Sequence, residues 1–221
     1  MLDPQPLLLT LKLATHTTLL LTIVGIPLAY FLAFGCSRIR YIVEVISSLP
    51  LVLPPTVLGF YLLLLFSPTS PVGGWLAQVW DIRLAFSYAG LVIGSMLFSL
   101  PFMLLPLTSA FRAIPPNLLD AARTLGKSEI NILARVILPN CKIGLIGALI
   151  LTFAHTVGEF GVVLMIGGNI PGQTQVASIA LYHEVETLNY AAAHLYAAVL
   201  VGFSFVVLLT LRLLSVRATH E

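Results

Sequence analysis

Five apolar runs, each long enough to cross a bilayer, constrain this sequence more than any other feature. A helical span needs about 20 predominantly apolar residues to cross a hydrocarbon core about 30 Å thick. The runs cover roughly 7–34, 41–66, 85–107, 143–166 and 191–214. Between them lie a short connection (35–40), a Pro/Gly-rich loop with Trp75 and Trp80 (67–84), a polar stretch (108–142) and a mixed stretch (167–190). Residues 215–221 read as a short tail. The 221 residues are 58% apolar and only 9% charged, with a mean hydropathy of +1.01. Soluble domains carry about 25% charged residues, so a cytosolic enzyme is excluded. The net charge of +2 does not point to nucleic acid. The expected fold class is an all-α polytopic membrane protein with five transmembrane helices.

Charge distribution predicts its orientation. Five spans put the termini on opposite sides. Arg38, Arg40, Arg112, Arg123, Lys127, Arg135, Lys142, Arg212 and Arg217 fall on one side, Lys12 and Arg83 on the other, which accounts for all 11 basic residues. Basic residues collect in the cytoplasm, which places the N-terminus outside and the C-terminus inside. Trp75 and Trp80 then sit in the outer loop, as interfacial anchors do. The N-terminal residues lack the positive region of a signal peptide. Cys36 and Cys141 are too few for a disulfide framework, and at cytoplasmic ends they are expected to stay thiols.

The stretch 174–188 has a partly helical apolar face but is too short to span. It reads as a short helix at, or dipping into, the outer face, entered through the Gly167–Gly172 turn. The polar stretch carries more. Pro115-Pro116 stops the third span, Asn117 is a good N-cap, and Asp120 three residues on completes a pair like a capping box. A helix over 118–125 follows and ends at Gly126. Ser128 can cap a second helix running to Leu138, before Pro139. Leu118, Leu119, Ala122 and Leu125 share one face of the first helix. Such a helix suits docking in a partner's groove; it also suits resting on lipid headgroups.

Two features interrupt the spans. Pro50, Pro54 and Pro55 lie well inside the second and remove helix bonds to the carbonyls of Ile46, Pro50 and Leu51. Broken backbone at membrane depth persists only when buried in protein or lining a cavity, so these residues and Thr56 mark a pathway or gate element, or a structural kink. Glu159 lies inside the fourth span, where a carboxylate is costly and should face protein or water. His155, one turn away, is its candidate partner. Packing at the Gly158–Gly161 break is favoured over a pathway role. The histidines lack metal-ligand spacing, and no catalytic set stands out. Ala121-x4-Gly126-Lys127-Ser128 satisfies a loose phosphate-loop pattern, but a capped helix precedes it where a strand is required.

Asp120-Ala121-Ala122, Gly126, then Val136, Leu138 and Pro139 resemble the Glu-Ala-Ala-x3-Gly-x9-Ile-x-Leu-Pro loop of type I ABC importer permeases, with Asp for Glu and Val for Ile. Leu49-Pro50-Leu51-Val52-Leu53-Pro54-Pro55-Thr56-Val57-Leu58-Gly59, Ala121 to Gly126, Gly158-Glu159-Phe160-Gly161 and Asn169 to Thr174 are similar to the membrane subunit of molybdate importers, over nearly the whole chain. The resemblance implies a transmembrane domain over 7–214 with a cytoplasmic coupling loop at 115–139. In it Asp120, Ala121, Ala122, Leu125, Gly126, Leu138 and Pro139 form the contact with the ATPase. It implies a homodimer in the bacterial inner membrane, two cytoplasmic ATP-binding subunits, an extracytoplasmic molybdate-binding protein, and no cofactor or bond chemistry in this chain. An anion would cross among neutral groups such as Ser47, Ser48, Thr56, Ser95, Ser99, Thr152 and Thr156. Sulfate, thiosulfate and tungstate are the alternative cargoes. An intramembrane enzyme lacks its catalytic set, and a secondary transporter would show internal repeats, which are absent.

Overall fold

The computed structural model describes residues 3–35 and 37–218, with side chains through residue 213. Cys36, the side chain of Arg217 and residues 219–221 lie outside the described residues, and so does what the sequence says of them. Among the described residues all regular structure is helical. Among these residues three helices are long and apolar enough to cross a membrane alone: α1 (Gln5–Phe34), α5 (Tyr88–Arg112) and α12 (Tyr190–Ala218). Counting bent helix pairs as single spans raises the number to five.

The second apolar run is broken more sharply than a kink. It comprises α2 (Ile39–Ser48), a single 3-10 turn (Leu49–Leu51) and α3 (Pro55–Phe66), and its halves meet at 110°. The cause is local. Pro54 and Pro55 have no N–H, and a residue before proline resists the helical region; Pro54 accordingly sits at ψ 134°. One straight crossing over 41–66 is therefore replaced by a broken span or re-entrant hairpin. The fourth run divides as well, into α9 (Lys142–Val157) and α10 (Gly161–Gly167). At 16 residues, α9 is only about 24 Å long. The stretch 67–84 is not all loop: it contains α4 (Pro71–Trp80), capped by Ser70, with Trp75 and Trp80 exposed on it. The short helix expected within 174–188 is α11 (Ala177–Glu186), buried at its N-terminal half.

The centre of the molecule is α1 packed on α5 and α9, with α10 set against α3 and α5. Ala29, Leu32, Met103, Leu104, Leu107, Phe111 and Ala148 form one apolar cluster there. By contrast α12 is largely uncovered, with Val201, Phe205 and Leu208 exposed, as a lipid-facing helix would be.

Two polar ends result. At one, Arg112 bonds the Leu32 carbonyl at 2.9 Å and pairs with Glu44 at 3.3 Å, which gathers the end of α1, the middle of α2 and the end of α5. At the other, the Phe86 N–H bonds Ile166 O at 2.8 Å, Tyr196 Oη bonds Asp3 O at 2.9 Å, and the Ala177 N–H bonds Thr10 Oγ1 at 2.8 Å. Arg40, Arg112 and Arg123 lie at the first end. Lys12 lies at the second, over the ring of Tyr88.

Candidate functional site

The polar loop between α5 and α9 is built by local backbone chemistry. Helix α6 (Pro116–Thr124) starts at Pro116, whose missing N–H costs nothing in a first turn. Pro115 occupies the N-cap position and no side chain caps the helix, so the expected Asn117–Asp120 capping pair does not form. Asp120 instead meets Arg123 at 3.5 Å. At the other end the expected stop is present. Gly126 adopts φ +69°, its N–H bonds Arg123 O at 2.9 Å, and the Lys127 N–H bonds Ala122 O at 3.2 Å. This is a Schellman closure, which requires the left-handed residue that glycine supplies most readily.

Ser128 then caps α7 (Glu129–Ile132), accepting from the Asn131 N–H at 3.4 Å. The helix does not stop before Pro139, as the sequence suggests. Pro139 cannot donate to the carbonyl four residues back and would clash with it. The chain widens into a π turn over Leu133–Ile137, where the Leu138 N–H bonds Leu133 O, and continues as α8 (Leu138–Asn140). Gly126-Lys127-Ser128 thus joins two helices, which is not the setting of a phosphate loop.

Burial divides α6. Leu119 and Ala122 are buried against Phe111, Ile114, Ile132 and Ile137 in the chain's own core. Leu125 is 75% exposed and Leu118 39%, with Asp120 and Ala121 also exposed. The single four-residue docking face expected from the sequence is therefore two faces, and Ala122 lies on the inward one. Leu138 packs partly on the same core and Pro139 is exposed.

A polar clasp fixes this loop to α1. Arg123 Nε donates to Glu129 Oε1 at 3.1 Å, and the Tyr30 hydroxyl donates to Glu129 Oε2. The Tyr30 hydrogen bond first, then Arg123, holds the Glu129 carboxyl below the usual carboxylate range. Sequence reasoning missed this group. The opposite charges of Arg123 and Glu129 astride the Gly126 turn carry a signal; Tyr30, 99 positions away in the chain, carries none.

The second candidate region is the break between α9 and α10. Glu159 sits in it, 3% exposed, with neither carboxyl oxygen in a formed hydrogen bond. The Ser95 hydroxyl, also unpartnered, is the group interacting with it. The expected His155 partnership is not made. His155 Nδ1 is 2.9 Å from Ser99 Oγ, and its ring stacks on Phe102. The break is held by α11, whose Ser178 hydroxyl donates to the Glu159 carbonyl at 2.5 Å. Thr174 closes the preceding turn by donating to Gly167 O at 2.7 Å.

The two interrupted runs meet here. A cavity of about 460 Å³ is lined by Pro55, Thr56, Phe98, His155, Glu159 and Gly161 among others. A Cβ on Gly161 would lie 2.7 Å from Pro55 Cβ, so glycine is required for α10 to approach the start of α3. Pro55, Thr56 and Glu159 are thus brought together. Pro54 is the exposed N-cap of α3, and Pro50 is buried in the 3-10 turn against α5, away from the cavity.

The described residues form an all-helical bundle with broken apolar helices and a capped polar loop at one end, the architecture of a polytopic membrane protein. Residues 25–220 match the model of the binding-protein-dependent transport system inner membrane component family, and the chain belongs to it. It is 47% identical over 209 residues to the molybdenum transport system permease protein ModB of Azotobacter vinelandii, covering 95% of this chain and 92% of that one. ModB of Escherichia coli (strain K12) is 33% identical, covering 84% and 82%. The sulfate transport system permease protein CysW of Synechocystis is 33% identical, covering 96% and 77%. The fold is shared with a chain of the MetNI methionine ABC transporter in inward-facing conformations, at a TM-score of 0.68 and 16% identity, covering 97% of this chain and 99% of that one.

Proposed function

We propose that this chain is the membrane permease subunit of an ABC importer that carries molybdate into the cytoplasm. The observation that carries the reading is the high identity to the Azotobacter permease along nearly the full length of both chains. Two ATP-hydrolysing subunits supply the energy and an outer binding protein delivers the anion. Two copies of the chain form the pathway between them. The runs cross as five spans, N-terminus outside, with the Arg112 end in the cytoplasm.

In this reading α6 is the coupling helix. Asp120, Ala121 and Leu125 meet the ATPase, Ala122 seats the helix on the permease core, and Gly126, Leu138 and Pro139 set the path of the loop. The cavity where Pro55 and Thr56 face Glu159 belongs to the translocation pathway, and Pro50 and Pro54 shape the break that opens it.

A deletion strain tests the cargo. It is expected to lose molybdoenzyme activity at trace molybdate and to regain it when molybdate is in excess. The similarity to CysW supports sulfate as a second reading. A deletion strain that instead requires cysteine, with normal molybdoenzymes, establishes sulfate.

A further inference from the structure

A second polar cavity, of about 280 Å³, lies at the coupling-loop end between α1, α2 and α5. Its lining includes Glu44, Ser47, Thr108, Ser109 and Arg112. Of its lining, the transport reading so far uses only Ser47 and Ser48, as neutral groups along an anion's path. Water occupies about 30 Å³ per molecule in the liquid, so the space admits a tetrahedral oxyanion with part of its hydration.

The donors present suit such an ion. Arg112 offers five N–H groups in a planar fork that matches oxyanions bidentately. Its present contacts leave two of them, the Nε–H and one on Nη1, without a hydrogen bond. Nη1 and Nη2 reach the Glu44 carboxylate at 3.4 and 3.3 Å, and Nη2 reaches the Leu32 carbonyl at 2.9 Å. Tight charge-assisted pairs measure about 2.7–2.9 Å, so the Glu44 contact is loose and exchangeable. The buried Thr108 hydroxyl has no hydrogen-bond partner among the described residues. Buried hydroxyls are normally satisfied, so an unused one in the same lining as a loosely held guanidinium points to a polar guest.

We propose that this cavity is an exit-side site for a tetrahedral oxyanion, with Arg112 as its cationic ligand and Glu44 as the group the anion displaces. This rests on the reading that the chain delivers an oxyanion to the cytoplasm. Glu44 opposes the anion, which keeps binding weak and release fast. Arg112 is also the last residue of α5, four positions before the start of α6. Exchange of its partner from Glu44 to the anion therefore occurs beside the coupling helix, where occupancy can be felt by the ATPase.

The test uses the complete complex with its ATPase subunits in inside-out vesicles. The chain carries Cys36→Ser, Cys141→Ser and Ser109→Cys, and a neutral maleimide reports on Ser109→Cys. Millimolar molybdate is expected to slow labelling about tenfold relative to chloride at equal ionic strength. Arg112→Gln should abolish the protection, and Glu44→Gln should lower the half-protecting concentration by about tenfold. Labelling that molybdate leaves unchanged overturns the proposal. Protection that survives Arg112→Gln, or a half-protecting concentration that Glu44→Gln leaves unmoved, overturns it too. Uptake by the same complex separates the two claims. Molybdate import without protection rejects the site alone; import of sulfate only, with protection by sulfate, changes the cargo and supports the site.

Discussion

The loop after α5 and the break after α9 both interrupt apolar helices, yet they treat their polar groups in opposite ways. In the loop, helix ends are closed by the Gly126 turn and the Ser128 cap, and Glu129 is held by Arg123 and Tyr30. In the break, the Glu159 carbonyl is satisfied by Ser178 while its carboxyl is buried and unpaired. The loop satisfies its polar groups within the chain. The break leaves a buried group that only a guest, a water or a rearrangement would satisfy. For the proposed importer subunit, a closed loop at one end and an unsatisfied cavity at the other suit the conversion of docking into passage.

The largest expected effect contrasts neighbouring alanines. Ala122→Trp places an indole in the closed core around Phe111 and Ile137. Overpacking by a few methylenes costs about 1–3 kcal/mol, and a whole ring reaches or exceeds the upper end. Its abundance in the membrane fraction should fall. Ala121→Trp, on the exposed face, should leave abundance normal and reduce capture of the ATPase subunits in a pull-down. If the two variants behave alike, α6 does not have two faces.

Gly126→Val comes next. No atom lies within 4 Å of a Cβ added there, so the cost is backbone strain at φ +69° alone, about 1–2 kcal/mol. Pull-down should weaken by about tenfold, since 1.4 kcal/mol is a factor of ten. Unchanged pull-down with normal uptake would show that the turn does not orient the docking face.

At Glu159, replacement by Gln should cost less than replacement by Leu, in complex yield and in uptake. Gln keeps hydrogen bonding in nearly the same volume, while Leu leaves Ser95 facing an apolar group. Equal damage from both would mean that the charge itself is needed.

The smallest effect concerns the Glu129 clasp, an exposed network of modest worth. Its carboxyl is held below the usual range when folded, so its contribution is fully present above the ordinary carboxylate pKa of about 4.3 and is lost as pH falls through the folded value. Amides of 121–130, corrected for intrinsic rates, should exchange faster near pH 3 than near pH 6. In Glu129→Gln that difference should vanish.

What the sequence disclosed follows the range of the forces involved. The apolar runs, the left-handed Gly126 turn, the Ser128 cap and α11 are set by residues within a few positions, and each was legible. The Asn117 cap was a local rule overridden by another, because Pro115-Pro116 already fixes where α6 begins. The inward face of α6 was not legible, since it depends on Phe111 and Ile137 folding back over it. The proline triplet announced a break but not its 110° bend. The meeting of Thr56 with Glu159 rests on Gly161 admitting Pro55, a contact across more than 100 residues that no spacing encodes.

The central claim is that the chain passes molybdate when an outer binding protein and docked ATPases act together. The direct measurement is ATP hydrolysis by the purified complex in proteoliposomes, with the binding protein loaded in turn with molybdate, tungstate or sulfate. Molybdate-loaded protein should raise hydrolysis several-fold and drive molybdate uptake, and Ala121→Trp should suppress both. Stimulation by sulfate-loaded protein alone, or equal hydrolysis whether the binding protein is loaded or empty, would contradict it.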